Sequence, residues 1–340
     1  MKEAIIISGI FISGLIGAGF STGSEILFYF SNYGIFGLIG IIIVCLLFSF
    51  IQYIVLYSSK NLNTASVSDY FKCIMPDFFK KASSFITHFF MLIVFSAMLS
   101  GFGELLNSLF DTPKIFGTLI MLSFCHLILK KGYNGFIKIQ SFLFYFILFS
   151  ILLFSFYILF YREINVDAFN PTNNWLSSSV SYVCYNMSGA IAILCIISKN
   201  YNKKSILISS FTTFFITLVI MCLLWYIISI YSGIIPLGPM PLLTIAIRQS
   251  KLLGYFYTAS IFVAMLTTAV SDSFSLIHYL TKYINKKTAH YLVLSSSFLL
   301  SGFDFSYIIS TLYKFVGFFS IFMMFFIVKY YILSLKNTNY

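Results

Sequence analysis

The sequence predicts an all-α integral membrane protein of ten transmembrane helices, arranged as a 5+5 inverted repeat with helices 1 and 6 discontinuous. Three observations carry that prediction. The 340 residues are 59% hydrophobic and 9% charged, with a mean hydropathy of +0.94. Apolar runs long enough to cross a bilayer recur along the whole chain. Two of those runs are interrupted at matching places in the two halves. A soluble domain carries about 25% charged residues, so this chain cannot cover a water-facing surface. That excludes a soluble enzyme, a nucleic-acid binder and a disordered protein. The net charge of +11 then reports basic cytoplasmic loops and not a nucleic-acid partner.

A membrane helix needs roughly 20 mostly apolar residues. Runs between polar breaks give ten segments, near 4–30, 35–58, 84–109, 113–129, 138–160, 176–198, 205–232, 252–279, 288–302 and 306–332. Glu25 and a Gly-rich stretch follow the first run with no A-x-A site, so it reads as a span and not as a cleaved signal peptide. With the N-terminus inside, sixteen Lys fall in cytoplasmic loops and tails, against Lys114, Arg162, Arg248 and Lys251 outside; Lys314 lies within a span. This asymmetry predicts cytoplasmic N- and C-termini and an even number of spans. The six cysteines show no CxxC, and all but Cys73 sit in apolar runs, so neither a disulfide framework nor a metal site is expected. The four histidines share no spacing and read as interfacial residues.

The 340 residues form one membrane domain that divides near a polar stretch at 165–174, giving repeats of about 1–164 and 175–335. The interruptions near Gly17 and Asn186 are about 169 residues apart; the third and eighth segments, and the fifth and tenth, begin about 168 apart. Five spans are odd, so the second repeat must insert upside down. Inverted repeats with corresponding broken helices point to a secondary transporter.

The first break reads Gly17, Ala18, Gly19, Phe20, Ser21, Thr22, Gly23, Ser24, Glu25. Each glycine weakens a helix by roughly 1 kcal/mol against Ala. Unwound backbone at membrane depth must line a cavity or be buried in protein. A half-helix beginning near Thr22 would offer free N–H groups to an anion, and one ending near Ile16 would offer carbonyls to a cation. Close packing of small residues at a helix interface is the alternative. The second break, Tyr182 to Ala190, carries Tyr185, Asn186, Ser188 and Gly189; packing against a neighbour explains it as readily.

Residues 17–26, Gly-Ala-Gly-Phe-Ser-Thr-Gly-Ser-Glu-Ile, resemble the first-helix motif of the YkvI-like membrane transporters, within the amino acid–polyamine–organocation superfamily. Tyr185-Asn186 and the loop Pro239-Met240-Pro241-Leu242-Leu243 fit the same pattern. Span count and order extend the resemblance over essentially the whole chain, but its specific part is about ten residues. It implies the leucine-transporter fold and transport more firmly than it implies a substrate. It also implies a sodium site built from carbonyls near Ser13 and Ile16 and hydroxyls of Thr267, Thr268 and Ser271. Oxygen ligands suit a hard cation; helix-to-helix hydroxyl bonding is the competing reading of those residues. The fold places the outer halves of the first and tenth helices face to face, so Glu25 and Lys314 are candidates for an outer gate, with separate snorkelling of the two as the alternative.

Glu25, Glu104, Asp272 and Lys314 are the ionisable residues inside spans, and each is a functional candidate by default. Glu104 lies near its helix end and reads as snorkelling. Thr267 and Ser271, and Thr268 and Asp272, are pairs four apart on shared helix faces. Asp272 is a candidate proton carrier, which leaves Na+ and H+ both open as the coupling ion. Ser96 and Ser100 share one face of the third span and are weaker substrate candidates. Segment 66–81, with Val67, Phe71, Ile74, Met75 and Phe78 at helical spacing and Pro76 interrupting it, reads as an amphipathic helix at the inner surface, and 239–250 as its counterpart outside.

The expected function is a secondary active transporter of the bacterial plasma membrane. It would move a small amino-acid-like or carboxylate solute by alternating access, with Phe20 and Tyr185 covering it and Na+ or H+ driving it. The expected partners are that solute and the lipid bilayer. A non-transporting, ligand-sensing receptor subunit on the same scaffold is the alternative. No enzyme cofactor is expected, and the residues show no nucleophile or metal constellation of an enzyme.

Overall fold

A computed structural model describes residues 2–64, 66–160, 174–232, 240–303 and 313–337, with only the backbone of 313–316, 318 and 337. The first predicted segment is divided into α1 (Lys2–Leu15), α2 (Ala18–Thr22) and α3 (Ser24–Tyr29). Then follow α4 (Ile35–Asn61), α5 (Val67–Ile74), α6 (Asp77–Phe110), α7 (Lys114–Lys130), α8 (Gly132–Phe160), α9 (Trp175–Ser198) and α10 (Lys203–Tyr231). The chain closes with α11 (Pro241–Gln249), α12 (Lys251–Leu280), α13 (Lys286–Leu300) and α14 (Tyr313–Asn337). Among the described residues, each of the ten predicted segments thus contains helix. Among the described residues seven helices are long and apolar enough to cross a membrane by length and composition: α4, α6, α8, α9, α10, α12 and the Phe319–Lys336 part of α14. The divided first segment, the 17-residue α7 and the 15-residue α13 are shorter.

The elements obey simple local rules. Asn202, Ser250 and Asn285 cap α10, α12 and α13 by accepting the amide hydrogen three residues on, at 2.7, 3.1 and 2.9 Å. Pro76 and Pro113 start α6 and α7, where a missing N–H costs nothing. The amphipathic segment splits at Pro76 as expected. It buries Val67, Tyr70, Phe71 and Ile74 against α6 and α9, while Phe78 stays exposed.

Helix α1 is apolar all round and sits in the middle of the bundle, packed on α8, α9, α10 and α12. An all-round apolar helix belongs in such a place. The approach to α8 is close: a Cβ at Gly9 would lie 2.9 Å from the Phe144 ring. Outward faces carry exposed Phe, Leu and Ile, including Phe142, Phe149, Phe156, Phe211 and Phe215. This is an all-α integral membrane protein, with its polar contacts inside and its lipid-compatible side chains outside.

Candidate functional site

The first break is present, but earlier and sharper than the sequence predicts. Helix α1 stops at Leu15. Gly17 is extended (φ −88°, ψ −163°), and its N–H turns back to the Leu15 carbonyl at 2.8 Å. One turn later Gly23 adopts the left-handed region (φ +82°) between α2 and α3. The second half-helix therefore begins at Ala18 and not near Thr22. No acceptor meets the backbone N–H groups of Ala18, Gly19 and Phe20 among the described residues.

The second break is absent: α9 runs continuously from Trp175 to Ser198. Asn186 donates from Nδ2 to the Tyr182 carbonyl one turn back at 2.9 Å, so its polarity is spent on the helix itself. One glycine, at about 1 kcal/mol, does not undo a packed helix.

Between α1, α2, α3, α6, α9 and α12 lies a cavity of about 50 Å³, smaller than the roughly 300–1,000 Å³ of small-molecule sites. Gly17, Ala18, Gly19, Glu25, Tyr185, Asn186, Gly189, Thr268, Ser271 and Asp272 of the predicted residues line it. The apolar wall is Phe11, Leu15, Phe90, Val94, Met98 and Ile193, none of which the sequence singled out. Their signal existed only as spacing: Phe90, Val94 and Met98 are four apart on one face of α6.

The remaining predicted solute residues lie elsewhere. Phe20 turns to a separate small void beside Phe48 and Tyr182. Ser21 and Thr22 return their hydroxyls to the Ala18 carbonyl at 3.2 and 2.8 Å, and the Ser21 carbonyl accepts from Tyr257 at 2.8 Å. Gly23 forms the turn between α2 and α3, packed on Leu242, and is not a wall residue. Ser96 bonds back to the Leu92 carbonyl, and Ser100 reaches the Phe303 carbonyl at 3.0 Å, so α6 presents apolar side chains to the cavity. Ser188 is buried away from it.

Glu25 folds back over the α2 backbone. A Cβ at Gly19 would collide with its Oε1, and its carboxyl faces the Tyr182 and Tyr185 hydroxyls. The gate with Lys314 falls outside the described side chains, since α14 is described there by backbone alone. Glu104 does not snorkel alone: it pairs with Lys114 at 3.2 Å across the α6–α7 corner.

The predicted cation ligands do converge. Thr267 donates to the Ser13 carbonyl at 2.9 Å, and Thr268 to the Gly14 carbonyl at 3.3 Å. A Cβ on Gly14 would lie 3.7 Å from Ser271 Oγ. Ile16 lies in the unwound step just beyond. The sequence reading missed Gln140 of α8. Fully buried, it donates to Ser13 Oγ at 2.8 Å and to the Thr267 carbonyl at 3.1 Å, while its Oε1 is buried without a hydrogen-bond partner. From Ile139 to Phe160 every other residue is aromatic, aliphatic or Ser, and that contrast is the trace Gln140 leaves in the sequence. Carbonyl, hydroxyl and amide oxygens together fit a hard monovalent cation, and the orphaned Oε1 adds one more acceptor to the set. Among the described residues no group of three or more His, Cys, Asp or Glu forms a metal cluster.

Fold and cavity together define an integral membrane protein of the leucine-transporter fold, with a central site beside a broken first helix. The structure superposes on MhsT in complex with L-phenylalanine (TM-score 0.67, 13% identity, 88% of this chain and 78% of that one). It superposes equally on a substrate-bound, outward-open Na+-coupled sialic acid symporter (0.67, 11%, 92% and 76%). Mhp1, a nucleobase-cation-symport-1 family transporter, closed with bromovinylhydantoin bound, gives 0.62 at 10% identity over 87% of this chain and 71% of that one. By sequence the chain is similar to the uncharacterized membrane protein YkvI of Bacillus subtilis (strain 168), at 23% identity over 322 residues, 92% of this chain and 91% of that protein. No family model matches the chain.

Proposed function

We propose that this chain is a secondary active transporter that moves a small amino-acid-like or carboxylate solute across a bacterial plasma membrane by alternating access, driven by Na+ or H+. It crosses ten times, in repeats of about 1–164 and 175–335, with both termini cytoplasmic. The observation that carries the reading is the break at Ile16–Gly17, which opens unpaired main-chain N–H groups beside a central cavity that also holds a buried acid. Lipid cannot satisfy such backbone, so it persists where a solute or buried protein does. The fold's likeness to a Na+-coupled symporter supports a gradient-driven cycle.

The Ser13, Ile16, Thr267, Thr268 and Ser271 oxygens are the place for Na+, and Asp272 is the group that would carry H+. An outer gate closed by Glu25 and Lys314 belongs to the same cycle. The test is time-resolved uptake of labelled L-amino acids and short carboxylates into proteoliposomes under an imposed Na+ or H+ gradient. Accumulation that collapses with the gradient is the expected result. Equilibrium binding with no gradient-driven accumulation of any probe overturns transport and leaves a ligand-sensing receptor.

A further inference from the structure

Asp272 presents an electrostatic problem. It is 7% exposed, at the cavity wall, and no described residue gives its carboxyl a hydrogen bond or an ion pair. The neighbouring hydroxyls are engaged elsewhere: Thr268 with the Gly14 carbonyl, Ser273 with Ala269 at 2.6 Å, and Ser275 with Ser271 at 3.0 Å. A lone carboxylate in a membrane protein interior is costly, and the cost is relieved when a cation meets it.

The cavity supplies no such cation. Its described lining contains no Lys, Arg or His, and its second carboxylic acid, Glu25, already faces the Tyr182 and Tyr185 hydroxyls. A solute whose only charge is a carboxylate would therefore enter against two acids. A solute carrying an ammonium would neutralise the one that has no partner. The approach is open, because across from the carboxyl stands Gly189, where even an added Cβ would sit 3.5 Å from Oδ1. The other wall, Phe90, Val94, Met98 and Ile193, suits an apolar body.

We propose that Asp272 binds the protonated amine of the solute, so that the ligand class is a primary amine with an apolar body, amino acids included and amine-free carboxylates rejected. The inference rests on the central cavity being the solute site. It does not require that the solute be transported.

Binding to the purified full-length protein in nanodiscs tests this with two matched sets. One is L-phenylalanine, 2-phenylethylamine and 3-phenylpropionate; the other is L-leucine, isoamylamine and 4-methylpentanoate. An amine-bearing member of at least one set should bind at least about tenfold more tightly than its amine-free partner, the discrimination that one charge-assisted hydrogen bond supplies. Asp272→Asn keeps the shape and should weaken that member about ten- to hundredfold, abolishing the preference. Gly189→Ala, which adds a methyl at ordinary contact distance, should weaken it too without lowering the melting temperature.

Equal binding of the amine-free acid overturns the proposal, as does unchanged amine affinity in a folded Asp272→Asn protein, or binding by none of the amines. An Asp272→Asn protein that binds normally but loses H+-driven uptake assigns the residue to the proton instead. Amine binding without accumulation in proteoliposomes defeats transport and leaves this inference standing.

Discussion

At Gly23 a side chain would be strained twice. The backbone sits at φ +82°, and a Cβ would lie 2.6 Å from Leu242 Cγ on α11. The left-handed region alone costs a non-glycine residue roughly 1–2 kcal/mol. Gly23→Ala should therefore lower the melting temperature by more than backbone strain explains, and adding Leu242→Ala should recover part of the loss. No recovery in the double variant would show that α11 does not press on this turn. Thr267 gives a second residue-scale prediction. Thr267→Val keeps the volume but leaves the Ser13 carbonyl without its donor, at a cost of about 1 kcal/mol. If Na+ binds at these oxygens, Thr267→Val should abolish Na+-stimulated uptake in a protein that still folds. Unchanged Na+ dependence would place the ion elsewhere. Residue contacts of this kind were only partly legible. His126 and His290, with no shared spacing, meet at 2.9 Å between Nδ1 and Nε2, because α7 and α13 pack together. Pairing across 164 residues leaves no trace in a single sequence.

At the scale of elements, the short helix α5 is tied to the end of α12. Lys282 reaches the carboxylate of Asp69 and donates to Ser66 Oγ at 2.7 Å, and Lys72 stands 3.4 Å from the same acid. Partial burial pushes the Asp69 carboxyl up, but the hydrogen bonds from Lys282 and Ser66 outweigh it and hold it below the usual carboxylate range. A depressed folded-state value means that the tie contributes fully above an ordinary Asp value of about 4 and is lost as pH falls through the lower folded one. Hydrogen exchange of amides 67–74 should then be insensitive to this group from pH 5 to pH 8, once intrinsic rates are corrected, and accelerate only in more acidic solution. Asp69→Asn should be accelerated from pH 5 to pH 8 and converge on the parent in more acidic solution; a variant that exchanges like the parent between pH 5 and pH 8 would mean that the ion pair does not hold α5. The elements themselves were largely readable, since each predicted apolar run holds helix among the described residues. The two breaks were not equally readable, because polar residues in an apolar run signal either an unwound backbone or side chains bonded to their own helix. Glycines at 17, 19 and 23 made the first real. In the second, Asn186 bonds to Tyr182 and the helix persists. Which face of α6 meets the cavity was also hidden: a helix surrounded by apolar partners carries no polar stripe to mark its rotation, and Ser96 satisfies itself on its own backbone.

For the whole molecule, the side that each loop occupies is testable, because the chain carries its own reporter. Cys73, on α5, is exposed, whereas Cys45, Cys125, Cys184 and Cys195 are buried and Cys222 is half-buried on α10. With the basic loops inside, a membrane-impermeant maleimide should label Cys73 in inside-out vesicles and leave right-side-out vesicles unlabelled, and Cys73→Ser should remove the signal. Arg248, exposed at the end of α11, supplies the opposite reporter. Between it and Cys73 lie five described helices, α6, α7, α8, α9 and α10, and if each of them crosses, the two positions stand on opposite faces. Arg248→Cys in a Cys73→Ser background should therefore label in right-side-out vesicles alone. The pair is informative because the inverted repeat depends on parity: an odd number of crossings per half is what turns the second half over. Labelling of both positions from the same side would mean that one of the shorter helices, such as the 17-residue α7, does not cross, and the two halves would then insert in the same sense.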